Sequence, residues 1–381
     1  MRNLILTLIL GTLAFCGYSQ QTVTKNLIHD NLNRSYIVYI PDSYDENINT
    51  PLLFNFHGYT SNATEQMAYG DFRSIADAEG FILVHPEGLL FNGQTHWNVG
   101  GWTTGSTVDD VGFTEKMIED LSDDFNIDQN RIYATGMSNG GFMSFLLACQ
   151  LSDKIAAVAS VTGSMTPSTF DNCNSQHPTP VLYIHGTSDS VVPYEGASWT
   201  KRVEDVISFW ATENECDSEP IVEDIPDTNT SDESTVELFS YLNGDSGSEV
   251  MHYKVIGGDH TWPGTFLNFP GTNHDINASY VIWNFLSQYD INGLIDASTS
   301  IENGQIDKEE VSIYPNPTTS KINIDFNEIP SLDYELRNLS GELMLNGKFT
   351  QKEETLNLAR FANGLYSLRF GKKNYQVTKI E

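Results

Sequence analysis

The short stretch from Gly136 to Gly140, with the sequence GMSNG, places a serine between two glycines. The spacing fits the pattern G-x-S-x-G, in which a strand turns sharply into a helix and presents a serine hydroxyl at the edge of a sheet. A strand-like run, RIYAT, precedes the stretch, and a helix-forming run, GFMSFLLACQL, follows it. We therefore predict that Ser138 is a nucleophile. The alternative is a glycine-rich turn without chemistry.

A serine hydroxyl needs a base, and the base needs a third group that orients it. In sheets that carry this turn the chain order is serine, acid, histidine. Asp189 follows the apolar run PVLYIHG, and His260 follows SEVMHYKVIGG, so the order fits. His274 is a rival base because it also follows the last strand-like run. Asp259 is a rival acid, but neighbouring side chains on one loop rarely face each other, so we predict Asp189 and His260.

Two backbone N–H groups are candidates for an oxyanion hole, which stabilises the charge that develops on a carbonyl oxygen. The first belongs to Asn139, at the start of the predicted helix, where the helix dipole helps. The second belongs to Tyr59 in the HGYT turn, where Gly58 lets the backbone approach. For His57, in the same turn, we expect a structural hydrogen bond to the loop.

Three tryptophans are candidates for a substrate wall. Trp97 and Trp102 lie among glycine and asparagine in HWNVGGW, and Trp262 lies beside the predicted base. Flat apolar walls suit an aromatic acyl group, a sugar ring or a polyester chain. The alternative is core packing, which we expect instead for Trp210 and Trp283 because each lies on a helical pattern.

The elements that must position these residues alternate along the chain. From about residue 34 to 290, continuous apolar runs are separated by amphipathic helical patterns. This alternation predicts an α/β fold with a mostly parallel sheet covered by helices on both faces. Ligands of such sheets bind at the carboxyl ends of the strands, where the predicted residues lie. Asp109 and Asp110 open one predicted helix, as capping or dipole partners.

Both ends of the chain differ from this pattern. Residues 1–19 combine an early positive charge, an apolar run and small residues, which predicts a signal peptide and leaves residues 20–290 as the α/β domain. Residues 291–310 are polar and predict a linker. Residues 311–381 alternate in short strands, which predicts a small all-β, sandwich-like domain. Lipid anchoring at Cys16 is the minority alternative, because the preceding Phe15 is bulky. No later run approaches the roughly 18 apolar residues of a spanning helix.

Three cysteines remain after the predicted signal peptide, which suggests one disulfide and one free thiol in an oxidising compartment. Cys149 lies in an apolar helical run, so we expect it to be buried and free. We therefore predict a Cys173–Cys216 pair. The spacings do not suggest a zinc site, and the predicted chemistry requires neither a metal nor an organic cofactor.

The net charge is −31, and the chain has no basic cluster that could neutralise phosphates. Nucleic acid and anionic membranes are therefore poor partners. The acidity indicates a solvated surface.

Six motifs occur in an order that resembles a known family: HGYTSNA, WNVGG, VDDVGFTEKMIEDL, RIYATGMSNGGFMSFLLAC, HGTSDSVVPY and GGDHTWPG. They resemble the secreted esterases grouped with poly(3-hydroxybutyrate) depolymerases, which include feruloyl and acetylxylan esterases. The resemblance implies an α/β-hydrolase fold with Ser138, Asp189 and His260 as the triad. The tail, with VSIYPNPTTSKINID and FANGLYSLRFGKKNYQVTKIE, resembles the C-terminal sorting domain of type IX secretion, which implies an extracellular or surface-attached protein that the type IX machinery handles. A carbohydrate-binding sandwich is the alternative for the tail.

The resulting hypothesis is a secreted serine carboxylic ester hydrolase that acts on feruloyl or acetyl esters of plant polysaccharide. A poly(3-hydroxybutyrate) depolymerase is the first alternative, and a serine peptidase is a more distant one. A catalytically silent protein that binds glycan through its aromatic loops is an alternative of another class.

Overall fold

The computed structural model of the chain describes residues 21–267, 269–295, 311–315, 318–326, 329–338, 342–362, 364–370 and 373–379. The predicted signal peptide, 1–19, and residues 296–310 of the predicted linker lie outside the described residues. We call residues 21–295 the N-terminal region and residues 311–379 the C-terminal region. Among the described helices, none is long and apolar enough to span a bilayer.

The N-terminal region contains fourteen strands and seven α-helices. The strands are β1 (Gln21–His29), β2 (Leu32–Ile40), β3 (Thr50–Phe56), β4 (Ile82–Pro86), β5 (Leu89–Phe91), β6 (Gln94–His96), β7 (Ile127–Met137), β8 (Ala157–Val161), β9 (Val181–Gly186), β10 (Ile221–Ile225), β11 (Thr235–Tyr241), β12 (Val250–Ile256), β13 (Tyr289–Asp290) and β14 (Gly293–Leu294). The helices are α1 (Ala63–Tyr69), α2 (Arg73–Glu79), α3 (Asp110–Asp124), α4 (Asn139–Gln150), α5 (Pro167–Asp171), α6 (Val203–Glu213) and α7 (Ala278–Leu286). Short 3-10 helices span Gly101–Thr103 and Asp245–Gly247.

Ten of these strands form one sheet in the order β1-β2-β4-β3-β7-β8-β9-β12-β11-β10. The six central strands of this order, β4, β3, β7, β8, β9 and β12, run parallel to one another. At one edge β2 and β1 are added antiparallel, and at the other edge β11 and β10 are added antiparallel. The predicted α/β architecture is therefore confirmed. The carboxyl ends of β7, β9 and β12 meet at one edge of the sheet, because these strands are parallel.

Helices cover both faces of this sheet, so the central strands are buried on two sides. Every residue of β3, β4, β8 and β9 is buried. Successive side chains of β3 enter different cores: Leu52 and Phe54 join one cluster, and Leu53 joins the other. The first cluster includes side chains of α3, α4 and α6, and the second includes side chains of α2 and α7. Continuous apolar strands are the sequence signature of this double coverage.

The C-terminal region consists of short antiparallel strands, as predicted. They are β15 (Val311–Tyr314), β16 (Lys321–Phe326), β17 (Leu332–Asn338), β18 (Leu343–Phe349), β19 (Glu353–Asn357), β20 (Gly364–Phe370) and β21 (Lys373–Lys379). They form a three-stranded sheet, β15-β16-β19, and a four-stranded sheet, β18-β17-β20-β21. Ile322, Ile324, Leu336 and Leu368 belong to a separate core between them.

Arg369 makes a polar contact between the two regions. Arg369 on β20 donates to a carboxylate oxygen of Glu79 at 2.6 Å and to the carbonyl oxygen of Ala78 at 2.8 Å. Both acceptors lie in the last turn of α2, where backbone carbonyls lack helical partners and a cation is favoured. The regions also meet where β20 approaches the end of β10, since a Cβ atom on Gly364 would lie 3.0 Å from the side chain of Pro226.

The disulfide differs from the prediction. Cys149 pairs with Cys173, with 4.8 Å between their Cα atoms, and Cys216 is a free thiol. The predicted Cys173–Cys216 pair is wrong. Helix α5 packs on α4, which brings Cys173, two residues after α5, to the end of the α4 helix. Burial in an apolar helix therefore did not keep Cys149 free. Burial also raises the pKa of the Cys216 thiol to about 11.

Candidate active site

The serine turn follows the central strand β7. Ser138 separates β7 from α4 and has φ 55° and ψ −119°, a backbone conformation that non-glycine residues rarely adopt. A Cβ atom on Gly140 would lie 2.1 Å from the carbonyl oxygen of Phe56, and one on Gly136 would lie 2.6 Å from the same oxygen. The flanking glycines therefore let β3, β7 and α4 approach closely enough to enforce the turn.

Backbone hydrogen bonds hold the turn against the next strand. The Ser138 N–H donates to the carbonyl of Val161 at 2.8 Å, and the Ser138 carbonyl accepts from the N–H of Phe142 at 3.0 Å. Val161 ends β8, so the serine is fixed at the carboxyl edge of the sheet. This is the edge at which the sequence predicted the chemistry.

Asp189 and His260 are in direct contact at the same edge. The Nδ1 atom of His260 lies 2.8 Å from Oδ2 of Asp189, while Oδ1 of Asp189 accepts the N–H groups of Val191 and Val192, each at 2.8 Å. Asp189 follows β9 and His260 follows β12, which are neighbouring parallel strands. With Nδ1 donating to the carboxylate, Nε2 of His260 is the nitrogen that can accept a proton.

The carboxylate of Asp189 has a second histidine neighbour. Nε2 of the buried His185 lies 3.3 Å from Oδ2 of Asp189 and 2.8 Å from the carbonyl oxygen of Val192. Burial raises the pKa of Asp189, but hydrogen bonds from His185 and His260 and their charges outweigh burial and hold the pKa well below its usual range. The carboxylate is therefore ionised at neutral pH. Sequence reasoning missed this contact of His185, although the spacing of four residues to Asp189 was a usable signal.

The rival acid and base have other contacts. Oδ1 of Asp259 accepts the N–H groups of Ser190 and His260, at 2.9 and 2.8 Å, so this carboxylate ties two loops together. The N–H of His274 donates to Asp232 at 2.9 Å. The geometry therefore favours Asp189 and His260 over both rivals.

The structure brings two of the three predicted triad residues into contact. Within the described residues, the hydrogen bonds include none between the hydroxyl of Ser138 and the imidazole of His260. Ser138 nevertheless lies at the same sheet edge as the Asp189–His260 pair. The hydrogen bond between nucleophile and base often tightens only when substrate binds.

The HGYT turn lies beside Ser138, as predicted for an oxyanion hole. A Cβ atom on Gly58 would lie 3.4 Å from the Cβ atom of Ser138. His57 anchors this turn: its Nδ1 lies 2.7 Å from the carbonyl of Gly58, and its Nε2 accepts the N–H of Gly88 at 2.9 Å. Burial lowers the pKa of His57 to about 4, so the ring is neutral at pH 7. The structural role expected for His57 is confirmed, while the roles of the Tyr59 and Asn139 amides stay predictions.

Trp97 does not form a substrate wall, because its side chain is completely buried. Its Nε1 donates to the carbonyl of His57 at 2.8 Å. Its backbone N–H donates to the side-chain oxygen of Asn139 at 2.7 Å, and its carbonyl accepts from the Asn139 amide at 3.1 Å. Trp97 therefore locks the HGYT turn to the start of α4. Its polar sequence neighbours gave no hint of this long-range packing.

Trp262 is also buried, which overturns its predicted role in substrate contact. Its Nε1 lies 3.2 Å from the hydroxyl of Ser279, and its ring packs edge-on against Phe72 with 6.1 Å between ring centroids. The nearby His260 side chain is 15% exposed, whereas the chain turns Trp262 into the core. Proximity in sequence to the base was therefore misleading.

Trp102 remains a candidate for substrate contact. It is half-buried and lies 5.6 Å from the ring of Tyr59, 5.9 Å from Phe142 and 6.2 Å from Trp199, between ring centroids. Phe142 follows Ser138 by one helical turn, so these rings adjoin the nucleophile. We call Tyr59, Trp102, Phe142 and Trp199 the aromatic cluster. Trp199 was missed, although a tryptophan in the loop after the predicted acid was a usable signal.

One group of side chains could hold a cation in principle. His29, Asp30 and Asp109 bring their ligand atoms within 4.8 Å of one another. Asp109 already caps α3 by accepting the N–H of Gly112 at 2.9 Å, and it pairs with His29 at 3.0 Å. These contacts account for the grouping, so we assign no metal. The predicted helix-opening roles of Asp109 and Asp110 are confirmed: Asp110, the first residue of α3, is buried and pairs with Arg34 at 2.7 Å.

A mostly parallel sheet with a strained serine turn after its central strand, and an acid–histidine pair on the strands beyond it, defines an α/β-hydrolase. Residues 109–220 match the Phospholipase/Carboxylesterase family, and residues 312–380 match the secretion system C-terminal sorting domain. Part of the N-terminal region is thus similar to esterases, and the C-terminal region is similar to secretion sorting domains.

Three relatives illustrate the likeness. The bifunctional acetylxylan esterase/xylanase XynS20E of Neocallimastix patriciarum is 28% identical over 70% of this chain and 35% of its own length. Feruloyl esterase B of Piromyces equi is 31% identical over 60% of this chain and 42% of its own length. Feruloyl esterase D of Neurospora crassa is 29% identical over 71% of this chain and 86% of its own length. The chain thus spans less than half the length of the first two relatives.

Proposed function

We propose that this chain is an exported serine carboxylic ester hydrolase that acts through an acyl-enzyme. The observation that carries the proposal is the ionised Asp189 bound to His260 at the sheet edge where Ser138 is held in a strained turn. Residues 20–290 form the hydrolase domain in this proposal, and residues 311–381 direct export through the type IX machinery. The extracellular or cell-surface location follows from that export.

The reaction assigns one step to each group. The Ser138 oxygen attacks the ester carbonyl carbon while Nε2 of His260 takes the hydroxyl proton, and the Asn139 and Tyr59 amides stabilise the oxyanion. His260 then gives its proton to the leaving alcohol oxygen, which leaves an acyl-enzyme. Water, deprotonated by His260, attacks the acyl carbon, and the acid leaves as the proton returns to Ser138. The attack requires His260 to approach Ser138 to within hydrogen-bonding distance.

Feruloyl and acetyl esters of plant polysaccharide are the proposed substrates. The aromatic cluster beside Ser138 supports an aromatic acyl group, because Tyr59, Trp102 and Trp199 are partly exposed and a planar ring can pack against them. The three relatives carry names of feruloyl and acetylxylan esterases, which supports the same substrate class.

The test is hydrolysis of p-nitrophenyl acetate and methyl ferulate by the wild type, Ser138→Ala and Ser168→Ala. We expect Ser138→Ala to lose at least about 10⁴-fold in kcat, since loss of a nucleophile removes the covalent route. Ser168 is exposed at the start of α5, so its alanine variant should keep wild-type rates. Equal rates for the wild type and Ser138→Ala would exclude the proposal and favour a protein that only binds glycan.

A further inference from the structure

Two large aromatic side chains are exposed on the loop that follows the base. Phe266 is 74% exposed and Phe269 is 49% exposed, although both lie within ten residues of His260. Exposed apolar side chains that cluster beside a site mark surfaces that bind something. The ester chemistry proposed above does not itself use these rings.

This loop is attached to the base rather than hanging free. The N–H of Asp259 donates to the carbonyl of Gly271 at 3.1 Å, and the hydroxyl of Thr261 donates to the same oxygen at 3.2 Å. A Cβ atom on Gly271 would lie 2.6 Å from the Cβ atom of Asp259, so the two backbones are in close contact. The end of the loop that carries the two rings is therefore fixed against the residues on either side of His260.

A third ring extends the surface. The hydroxyl of Tyr69, at the end of α1, accepts the N–H of Trp262 at 3.0 Å. The ring centroids of Tyr69 and Phe269 are 5.9 Å apart. We call Tyr69, Phe266 and Phe269 the aromatic platform. The rings of Phe266 and Phe269 are exposed, and the hydroxyl of Tyr69 is anchored to the backbone of Trp262.

The aromatic platform and the aromatic cluster lie on opposite faces of the sheet. Trp102 and Trp199 pack against the core that contains Phe142, whereas Tyr69 packs against the core that contains Trp262. The aromatic cluster therefore lies on the same side of the sheet as α4, the helix that follows Ser138. The aromatic platform lies on the same side as Trp262, which follows His260 by two residues.

The reaction gives these two sides different occupants. His260 must deliver its proton to the leaving alcohol oxygen, so the alcohol portion of the ester has to lie on the side of the base. The acyl portion stays bonded to Ser138 and lies on the side of the aromatic cluster. In an esterified polysaccharide, the alcohol portion is the sugar chain.

We propose that the aromatic platform binds the sugar chain of an esterified, uncharged polysaccharide. Exposed rings can stack on the apolar C–H faces of sugar rings, and the net charge of −31 disfavours an anionic polymer. This inference rests on the proposed function, because it takes the direction of the ester from the Ser138 and His260 chemistry. It adds an alcohol-side subsite to that function.

The test compares the wild type with the Phe266→Ala/Phe269→Ala double variant on feruloylated arabinoxylan and on methyl ferulate. We expect kcat/KM on the polymer to fall about tenfold, because the variant removes both rings that can stack on sugar. The rate on methyl ferulate should stay within twofold, since its alcohol is methanol. The Phe266→Tyr/Phe269→Tyr variant keeps the rings and should keep polymer activity. Ile28→Ala, which removes another exposed apolar side chain, should change neither rate.

Binding to insoluble arabinoxylan provides a readout without catalysis. Ser138→Ala should bind the polymer, and the same variant with both phenylalanines replaced by alanine should bind it at least fivefold more weakly. Equal losses on polymer and methyl ferulate would mean that the loop only supports His260, and would overturn the inference. Weakened action on a polyhydroxybutyrate film with unchanged action on arabinoxylan would overturn it too. A wild type that binds the polymer through both rings but cleaves no ester would contradict the proposed function while leaving the rings as a glycan surface.

Discussion

The two regions of the chain bury their strands differently. In the N-terminal region, every residue of β8 and β9 is buried, because helices cover both faces of the sheet. In the C-terminal region, the residues of β16 alternate between buried and at least partly exposed, because each of the two sheets has one face in the core and one in solvent. The first arrangement buries both faces of the central strands, and the second buries one face.

Charge and titratable groups follow the same division. All nine histidines lie before residue 290, and residues 311–381 contain none. Residues 311–381 hold nine Lys and Arg against eight Asp and Glu, whereas residues 1–310 hold 11 against 43. A sheet that is covered on both faces can hold neutral imidazoles and an ionised carboxylate in fixed hydrogen bonds, whereas the core of the C-terminal region is formed by aliphatic and aromatic side chains. The candidate catalytic residues and the buried histidines, which make stability depend on pH, therefore lie in the N-terminal region.

Asp189→Asn should lower kcat on methyl ferulate about 10⁴-fold, because the amide cannot hold His260 in the required tautomer. Kinetic assays check the rate, and calorimetry checks that both regions still unfold cooperatively. Asp259→Asn is the matched control, since this residue ties loops rather than orienting the imidazole, and its kcat should fall less than tenfold. A larger loss in Asp259→Asn would identify Asp259 as the acid.

Mild acid should destabilise the N-terminal region selectively. Burial lowers the pKa of His57 to about 4 and those of His85 and His252 to about 3, from an ordinary value of 6.5. The unfolded state therefore binds protons first as the pH falls below 6.5, and each histidine removes about 1 kcal/mol from the free energy of unfolding by pH 5.5. The three histidines together remove about 3 to 4 kcal/mol.

Calorimetry at pH 7.5 and 5.5 checks this expectation. The transition of the N-terminal region should move to lower temperature in acid, and that of the C-terminal region should stay in place. His252→Gln, which removes one of the three groups, should show about a third less pH dependence. Equal shifts of both transitions would mean that general charge repulsion, and not buried imidazole, controls the acid response.

The disulfide should stabilise the N-terminal region alone. Replacing both Cys149 and Cys173 by alanine should lower its free energy of unfolding by about 3 kcal/mol, because a crosslink across 24 residues restricts the unfolded chain. Urea unfolding measures the change. Cys216→Ala is the control, with an expected change below about 1 kcal/mol. If Cys216→Ala caused the larger loss, the pairing of Cys149 with Cys173 would be wrong.

Two glycines, one from each region, should differ in how much an added methyl group lowers stability. In Gly140→Ala the new Cβ atom would meet the backbone of Phe56, so the N-terminal region should lose about 1 to 3 kcal/mol of stability. In Gly347→Ala the new Cβ atom would lie 2.9 Å from the ring of Tyr334, a partly exposed side chain that can move aside. We expect little change in that variant. Similar losses in calorimetry would show that the two regions are equally tightly packed.

Much of the hydrolase fold could be predicted from local sequence. Continuous apolar runs predicted buried parallel strands, and the glycine spacing around Ser138 predicted the turn, because both depend on backbone geometry that neighbouring residues determine. The pairing of Asp189 with His260 followed from the order of strand ends at a single sheet edge. These inferences needed no knowledge of side-chain packing.

The errors all concern contacts between distant segments. Trp97 and Trp262 lie in loops by sequence, yet their indoles are buried by helices and turns far along the chain. Cys149 lies on a buried helix, yet α5 brings Cys173 to it. The exposure of Phe266 and Phe269 could not be predicted either, because apolar residues in a loop can equally well turn inward.

The Arg369 contact links the hydrolase region to the C-terminal tail, so it affects how the two separate. The Arg369 guanidinium donates to the Ala78 carbonyl and the Glu79 carboxylate, and both charged side chains are only partly exposed, so salt screens this pair less than a fully exposed one. After a proteolytic cut within residues 296–310, this pair and the contact between β10 and β20 would still hold the two regions together. Residues 311–381 alone carry a net charge of +1, from nine Lys and Arg and eight Asp and Glu, so anion exchange should separate the released tail from the strongly acidic hydrolase.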